Sequence, residues 1–210
     1  MKSARLYRTS LATARGPAGK RPLHPVAQAW RDCFGDVLPA AFLCRGPLRE
    51  RWLRIHSLPD ARRYAGDRSE AAEMLLRQNA VAEDLLGDGA LCLLIFARWN
   101  WNDAARWPRD EPMRRALAGR RPELMLRADA DGDPFAFFAV PVTWRRGRFD
   151  DLILACANDQ TGPMLFANVQ RRSIYAPYDG GADLFFGTPD DVAPARERHR
   201  AWLSSLASGM

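Results

Sequence analysis

Lysine is almost missing from this chain, occurring only at Lys2 and Lys20. Arginine takes its place, which reflects codon usage in a GC-rich genome and carries no functional meaning. Histidine is scarce as well, present at His24, His56 and His199 alone. A Ser or Cys nucleophile needs a base, usually His, oriented by a third polar group. His199 falls on the apolar stripe of a helix and His24 just outside another, so His56, beside Ser57, is the best of three weak candidates. The chain has no G-x-S-x-G elbow, no H-E-x-x-H, no C-x-x-C pair, no G-x-G-x-x-G and no P-loop. These absences disfavour a triad hydrolase, a zinc site and an ATP- or NAD-dependent enzyme. No cofactor and no metal is expected, and enzymatic activity is not the favoured reading. No segment approaches the roughly 18 to 20 apolar residues that span a bilayer, so no membrane partner is expected.

Acidic residues are absent from positions 1–22, where Lys2, Arg5, Arg8, Arg15, Lys20 and Arg21 stand. Removing those 6 from the 31 basic residues leaves 25 against 25 acidic ones. The net charge of +6 therefore belongs to a basic arm, expected to be disordered over 1–22, on a neutral body. The arm lacks the continuous apolar stretch of a secretory signal. Its arginine-rich, acid-free composition superficially suits a mitochondrial presequence, but cytoplasmic residence is the default expectation. Cys33, Cys44, Cys92 and Cys156 are widely spaced, and the last two sit in apolar runs that suit buried free thiols.

Apolar periodicity begins after residue 22 and continues without a linker, which predicts one domain over 23–210. Val26, Ala29, Trp30 and Cys33 share a helical face, and Gly35 follows as a stop. Val37–Cys44 and Trp52–Leu58 are expected to be strands joined around Gly46-Pro47, with Trp52, Arg54 and His56 on one face of the second. The clearest helix spans 68–86, opened by Asp67 and Glu70 as a capping box and closed by Gly87. Leu91–Ala97 suits a central strand covered on both faces. A long connection over 98–121 is expected to hold a short helix near Met113–Ala118. Pro122–Arg127 fits a short strand. Pro134–Trp144 is expected to be a strand whose Pro141 implies an edge or a bulge. The triad Asp129, Asp131 and Asp133 before it lacks the ligand pattern of a calcium loop and fits a turn. Leu152–Ala157 fits either strand or helix. Short strands follow at 164–169, 173–176 and 182–186, and an amphipathic helix near 194–206 ends the chain. The fold class is α+β, with a mixed or mostly antiparallel sheet.

Two segments are candidate binding sites. Arg98, Trp99, Trp101, Arg106 and Trp107 interleave aromatic rings with guanidinium groups, a pattern of protein hot spots and of single-stranded nucleic-acid platforms alike. Asp103, Asp110 and Glu111 dilute the basic field there, which favours a protein partner over nucleic acid, while an ordinary packed loop is the simplest reading of all. In IYAPYDGGADLFF (174–186) the Asp179-Gly180-Gly181 turn places glycines where positive φ is expected. Tyr178, Asp179 and Asp183 would ring a pocket beside Arg171 and Arg172, unless the turn merely joins two strands.

RIHSLPDARRY at 54–64, LLRQN at 75–79, FDDLILACANDQTG at 149–162, PYDGGADLFF at 177–186 and RERHRAWLSS at 196–205 together resemble an uncharacterised family of small bacterial proteins. The resemblance covers most of residues 50–205 and implies no assigned activity, so no catalytic residues carry over. Small α+β proteins of this sort include immunity proteins that neutralise toxins of competing bacteria. The leading expectation is a non-enzymatic cytosolic protein-interaction module of immunity or antitoxin type. The alternative is a nucleic-acid-binding accessory protein using the basic arm and the segment 98–109, with a hydrolase around His56 and the Tyr178-Asp179 turn a third reading.

Overall fold

The computed structural model describes residues 23–99, 111–130 and 133–203. The expected basic arm, together with Trp101, Arg106 and Trp107, lies outside the described residues. Helix α1 (Pro25–Phe34) begins with proline in its first turn and stops at Gly35, whose φ of 68° lets the chain turn away. Val37–Cys44, expected as a strand, instead closes with a single helical turn, α2 (Ala41–Cys44). A short apolar run carries no periodicity to choose between the two, and here Leu38, Ala40, Leu43 and Cys44 bury together from the turn.

Strand β1 (Trp52–His56) alternates between half-buried and buried residues along its length. Helix α3 (Arg68–Leu86) starts where Asp67 Oδ1 accepts the Glu70 N–H at 2.9 Å. The capping box is only half made, because Glu70 turns outward to the Gly66 N–H and to Arg62. Strand β2 (Leu91–Trp99) leads to α4 (Glu111–Leu117), the hairpin β3 (Glu123–Ala130) and β4 (Asp133–Thr143), and then α5 (Asp150–Ala157). Strands β5 (Met164–Asn168), β6 (Ser173–Tyr178) and β7 (Gly181–Phe185) follow. The last α-helix of the described residues is α6 (Val192–Arg198). It is shorter than expected: the helix ends at Arg198, a 3-10 turn spans Arg200–Trp202, and Leu203 forms an antiparallel bridge with Ile55 of β1.

The seven strands form one antiparallel sheet in the order β1-β7-β6-β5-β2-β4-β3. Strand β2 lies inside it, as its continuous apolar run requires. Leu94 and Phe96 face a core shared with α3, α4, α5 and α6, while Ile95 and Ala97 face a second core under α1 and α2. Strand β4 is also internal, so Pro141 does not mark an edge strand. It is tolerated because β3 pairs only as far as Ala139, and the Pro141 carbonyl accepts from Arg120 Nη1 at 2.6 Å.

The β6–β7 turn departs from expectation in an informative way. Neither Gly180 nor Gly181 has positive φ. Gly181 is required by proximity instead: a Cβ there would run into the carbonyl oxygen of Ile55 on β1. Gly181→Ala is therefore expected to lower stability by about 1–3 kcal/mol through overpacking. Gly180→Ala, whose Cβ meets side chains alone, the Tyr178 ring at 3.1 Å and Arg63 Cγ at 3.7 Å, should cost less. Urea unfolding of both variants measures the difference, and equal midpoints would contradict the close approach.

Candidate binding site

Asp183 lies between Ala182 and Leu184 in the middle of β7 and is fully buried. A carboxylate there must find charge-assisted donors from neighbouring elements. Register supplies the first, since Arg54 of β1 stands directly opposite Asp183. Cross-strand partners share a face, and Arg54 Nε donates to Asp183 Oδ1 at 3.0 Å. The Trp52 indole N–H, two residues earlier on the same face, donates to the same oxygen at 2.9 Å. Arg45, immediately after α2, donates through Nε and Nη2 to Oδ2 at 2.8 and 2.7 Å. One carboxylate thus joins β7, β1 and α2.

Aromatic rings enclose the cluster. The Arg54 guanidinium lies 5.2 Å from the centroids of both Trp52 and Tyr178, held between them by cation–π attraction. Burial, reinforced by Asp183, pushes the Tyr178 hydroxyl up to about 12 against the pull of Arg54, so it stays protonated. At the rim, Asp179 pairs with Arg63, which rests over the half-exposed ring of Tyr64. Three residues before Arg45, Phe42 stacks on Trp99 at 5.6 Å with nearly parallel planes, and Trp99 contacts Phe135 at 4.7 Å. Trp99 ends β2 with 47% of its surface exposed. Helix α2 therefore bridges two features, an aromatic cluster through Phe42 and an arginine cluster through Arg45.

Two of the candidate pairings in the sequence are not made. Arg171 and Arg172 precede β6 and Tyr178 ends it, so the strand's length of roughly 17 Å separates them. Arg171 packs its guanidinium over Gly87 and donates to the Asp84 carbonyl at 3.3 Å. Arg172 occupies a turn with φ of 51°. Arg171 instead borders a pocket of about 340 Å³ with Asp84, Ser173, Arg198 and His199. Arg98 follows Ala97 on β2 and reaches the chain at Gly162, on the face opposite Trp99. Arg45, Trp52 and Arg54 were missed as site residues. The available signal was a lone Asp inside an apolar strand, together with the alternation of Trp52, Arg54 and His56 on one face.

The histidines have structural partners. His24 accepts from the Val26 N–H at the start of α1 and lies 3.2 Å from Glu123 of β3. Ser57 points away from His56, and its hydroxyl accepts from Gln78 Nε2 at 2.7 Å in the interior. His199 is buried, stacks on Trp202 and meets Asp84 Oδ2 at 2.9 Å. All four cysteines are free. Burial raises the pKa of each, Cys92 to about 12 and Cys156 to about 11, so they stay as unreactive thiols at neutral pH.

Removing the carboxylate tests the cluster. Asp183→Ala leaves two guanidinium groups without their shared counter-charge and is expected to cost about 3–5 kcal/mol in urea unfolding. Little loss would mean that the arginines find other partners. The histidines set a pH dependence. Burial lowers both His56 and His199 from 6.5, Arg54 lowering His56 further and Asp84 opposing the shift at His199. The folded chain then binds fewer protons than the unfolded one. Their contribution is complete above pH 6.5 and is lost as pH falls through the lowered folded values. Urea midpoints should drop between pH 7.5 and 5, and His199→Gln should flatten that slope; a flat parent profile contradicts the assignment.

No curated protein and no solved structure matches the chain. A family model described as "Domain of unknown function (DUF3885)" matches residues 41–207, from the start of α2 through all seven strands and α6. With most of its length inside that match, the chain belongs to the DUF3885 family.

Proposed function

We propose that this chain is a non-enzymatic cytosolic interaction protein of the immunity or antitoxin type, and that it docks a protein partner on the face built around α2. The observation that carries this reading is the exposed Trp99 ring, packed against Phe135 and against Phe42 of the helical turn that positions Arg45 at the buried Asp183. Rigid Trp, Tyr and Arg side chains supply a large share of binding energy at protein interfaces, because little conformational entropy is lost when they are covered. Four free thiols with raised pKa values suit a reducing compartment. No helix of the described residues is long and apolar enough to cross a membrane.

One observation favours a second reading. Residues 45–63 hold six arginines (45, 49, 51, 54, 62 and 63) against Glu50 and Asp60, beside the Trp52 ring. A nucleic-acid strand would also suit that density of charge.

Purification of the tagged chain from its native host separates the two. A protein recovered at equal stoichiometry, which arrests growth when expressed without this chain, is the expected result. A folded Phe42→Ala/Trp99→Ala double variant should weaken that complex by about 30-fold or more, the effect of losing a hot spot. A partner retained by the double variant overturns the assignment of the face. Nuclease-sensitive nucleic acid without a protein supports the second reading.

A further inference from the structure

The arginine cluster carries unequal charge. Arg45 and Arg54 contribute two positive charges and Asp183 one negative, while Arg63 and Asp179 cancel at the rim. One positive charge is left over in a place where the Arg54 side chain is only 11% exposed and the Arg45 side chain 33%. Partly desolvated charge of this kind is costly unless an anion completes it, and walls of low polarity strengthen its attraction for one.

The donors are already oriented. Asp183 engages Arg54 through Nε alone and Arg45 through Nε and Nη2. Among the described residues, nothing accepts from Arg45 Nη1 or from the outer nitrogens of Arg54. Both the Trp52 and the Tyr178 ring lie 5.2 Å from the Arg54 guanidinium and limit its movement, so its outer edge is a held fork of donors. Such a fork matches a carboxylate in two-point contact. The surplus of a single charge matches a monoanion better than a dianionic phosphate.

We infer that Arg45 and Arg54 form a receptor for one carboxylate, an acidic side chain or chain terminus that the protein partner inserts beside the Trp52 and Tyr178 rings. This rests on the proposed protein-binding role. It identifies the chemistry that the partner must present next to the apolar Phe42–Trp99 contact.

The test uses the full chain, labelled with nitrogen-15, followed by NMR at the arginine Nε–H and tryptophan indole signals. The probe is N-acetylglutamic acid α-amide, a monoanion, at constant ionic strength. Saturable shifts at Arg45, Arg54 and Trp52 are expected, half complete on the order of 1 mM, as suits one charge-assisted contact. The neutral N-acetylglutamine α-amide should leave them unmoved. Arg45→Gln keeps Arg54 and Trp52 on Asp183, so it should fold and bind the probe at least about 10-fold more weakly. The absence of saturation at tens of millimolar overturns the inference, as does an equal response to the neutral amide. Tighter binding of inorganic phosphate would overturn it too. If a captured partner persists with Arg45→Gln and the probe fails to bind, the inference falls while the protein-binding role stands. If the probe binds and no protein is captured, the carboxylate receptor stands and that role falls.

Discussion

A carboxylate in the middle of an apolar strand sets conditions that the surrounding chain has to meet. Asp183 has no access to solvent, and an ionised group there is tolerable only when several donors converge on it. Those donors come from places far apart in sequence: Arg45 after α2, and Trp52 and Arg54 on β1. Meeting the demand fixes β1 at the edge of the sheet in one register, because a slip of one residue would carry Arg54 to the other face. It also fixes α2 against that edge. Apolar packing alone would not specify this geometry, since dispersion contacts tolerate sliding that a multiply bonded carboxylate does not.

The opposite face uses neutral polar groups for the same end. Tyr175 donates to Gln78 Oε1 at 2.6 Å, and Gln78 Nε2 donates to Ser57 at 2.7 Å, so a buried chain joins β6, α3 and the end of β1. Full burial holds the Tyr175 hydroxyl protonated, which keeps it a donor in that chain. At the far end of α3, Asn168 donates to the Leu86 carbonyl while its own oxygen accepts two turn N–H groups. Ser173 donates to the Leu85 carbonyl beside it. These bonds satisfy carbonyls that a helix C-terminus leaves unpaired, and they orient α3 along the sheet. Asn79 connects it sideways to Asp150 of α5 and to the Gly147 N–H.

The elements most legible in the sequence were those with a long period or a strong local signal. Helices α1 and α3 have apolar stripes and glycine exits, and β2 has an unbroken apolar run that only a strand covered on both faces explains. Residues 37–44 were misread because eight mostly apolar residues show no period, and the choice between strand and helix is made by what they pack on. Leu152–Ala157 was ambiguous for the same reason and became α5. Pro141 suggests an edge or a bulge, and the outcome is a local edge within an internal strand: β3 ends opposite Ala139, and the length of that neighbour is not written in the sequence of β4. Gly181 was identified as special for the wrong cause. A turn motif suggests φ, whereas a neighbour's carbonyl is invisible until the strands are paired. The site itself is half legible: Tyr178, Asp179 and Asp183 stand out, but Arg54 joins them only through the β1–β7 register, 129 positions away, and Arg45 only through the packing of α2, 138 positions away.

The two faces of the sheet are covered unequally, and the proposed binding surface lies on the more thinly covered one. Helices α3, α4, α5 and α6 pack on one face, whereas α1 and the single turn of α2 pack on the other. A short helical turn cannot shield the whole of that face, so large rings fill the space instead. Phe42 stacks on Trp99 with Phe135 tilted against both, and the Trp52 and Tyr178 rings lie against Arg54. Rings used in this way leave surface exposed that a longer helix would have covered, and exposed aromatic surface next to oriented arginines is costly to keep in water without a partner. The face that is least complete as a core is therefore the one on which the proposed partner would dock. Asp183 connects the two properties, since the carboxylate that holds the thin layer in place also aims the arginines outward.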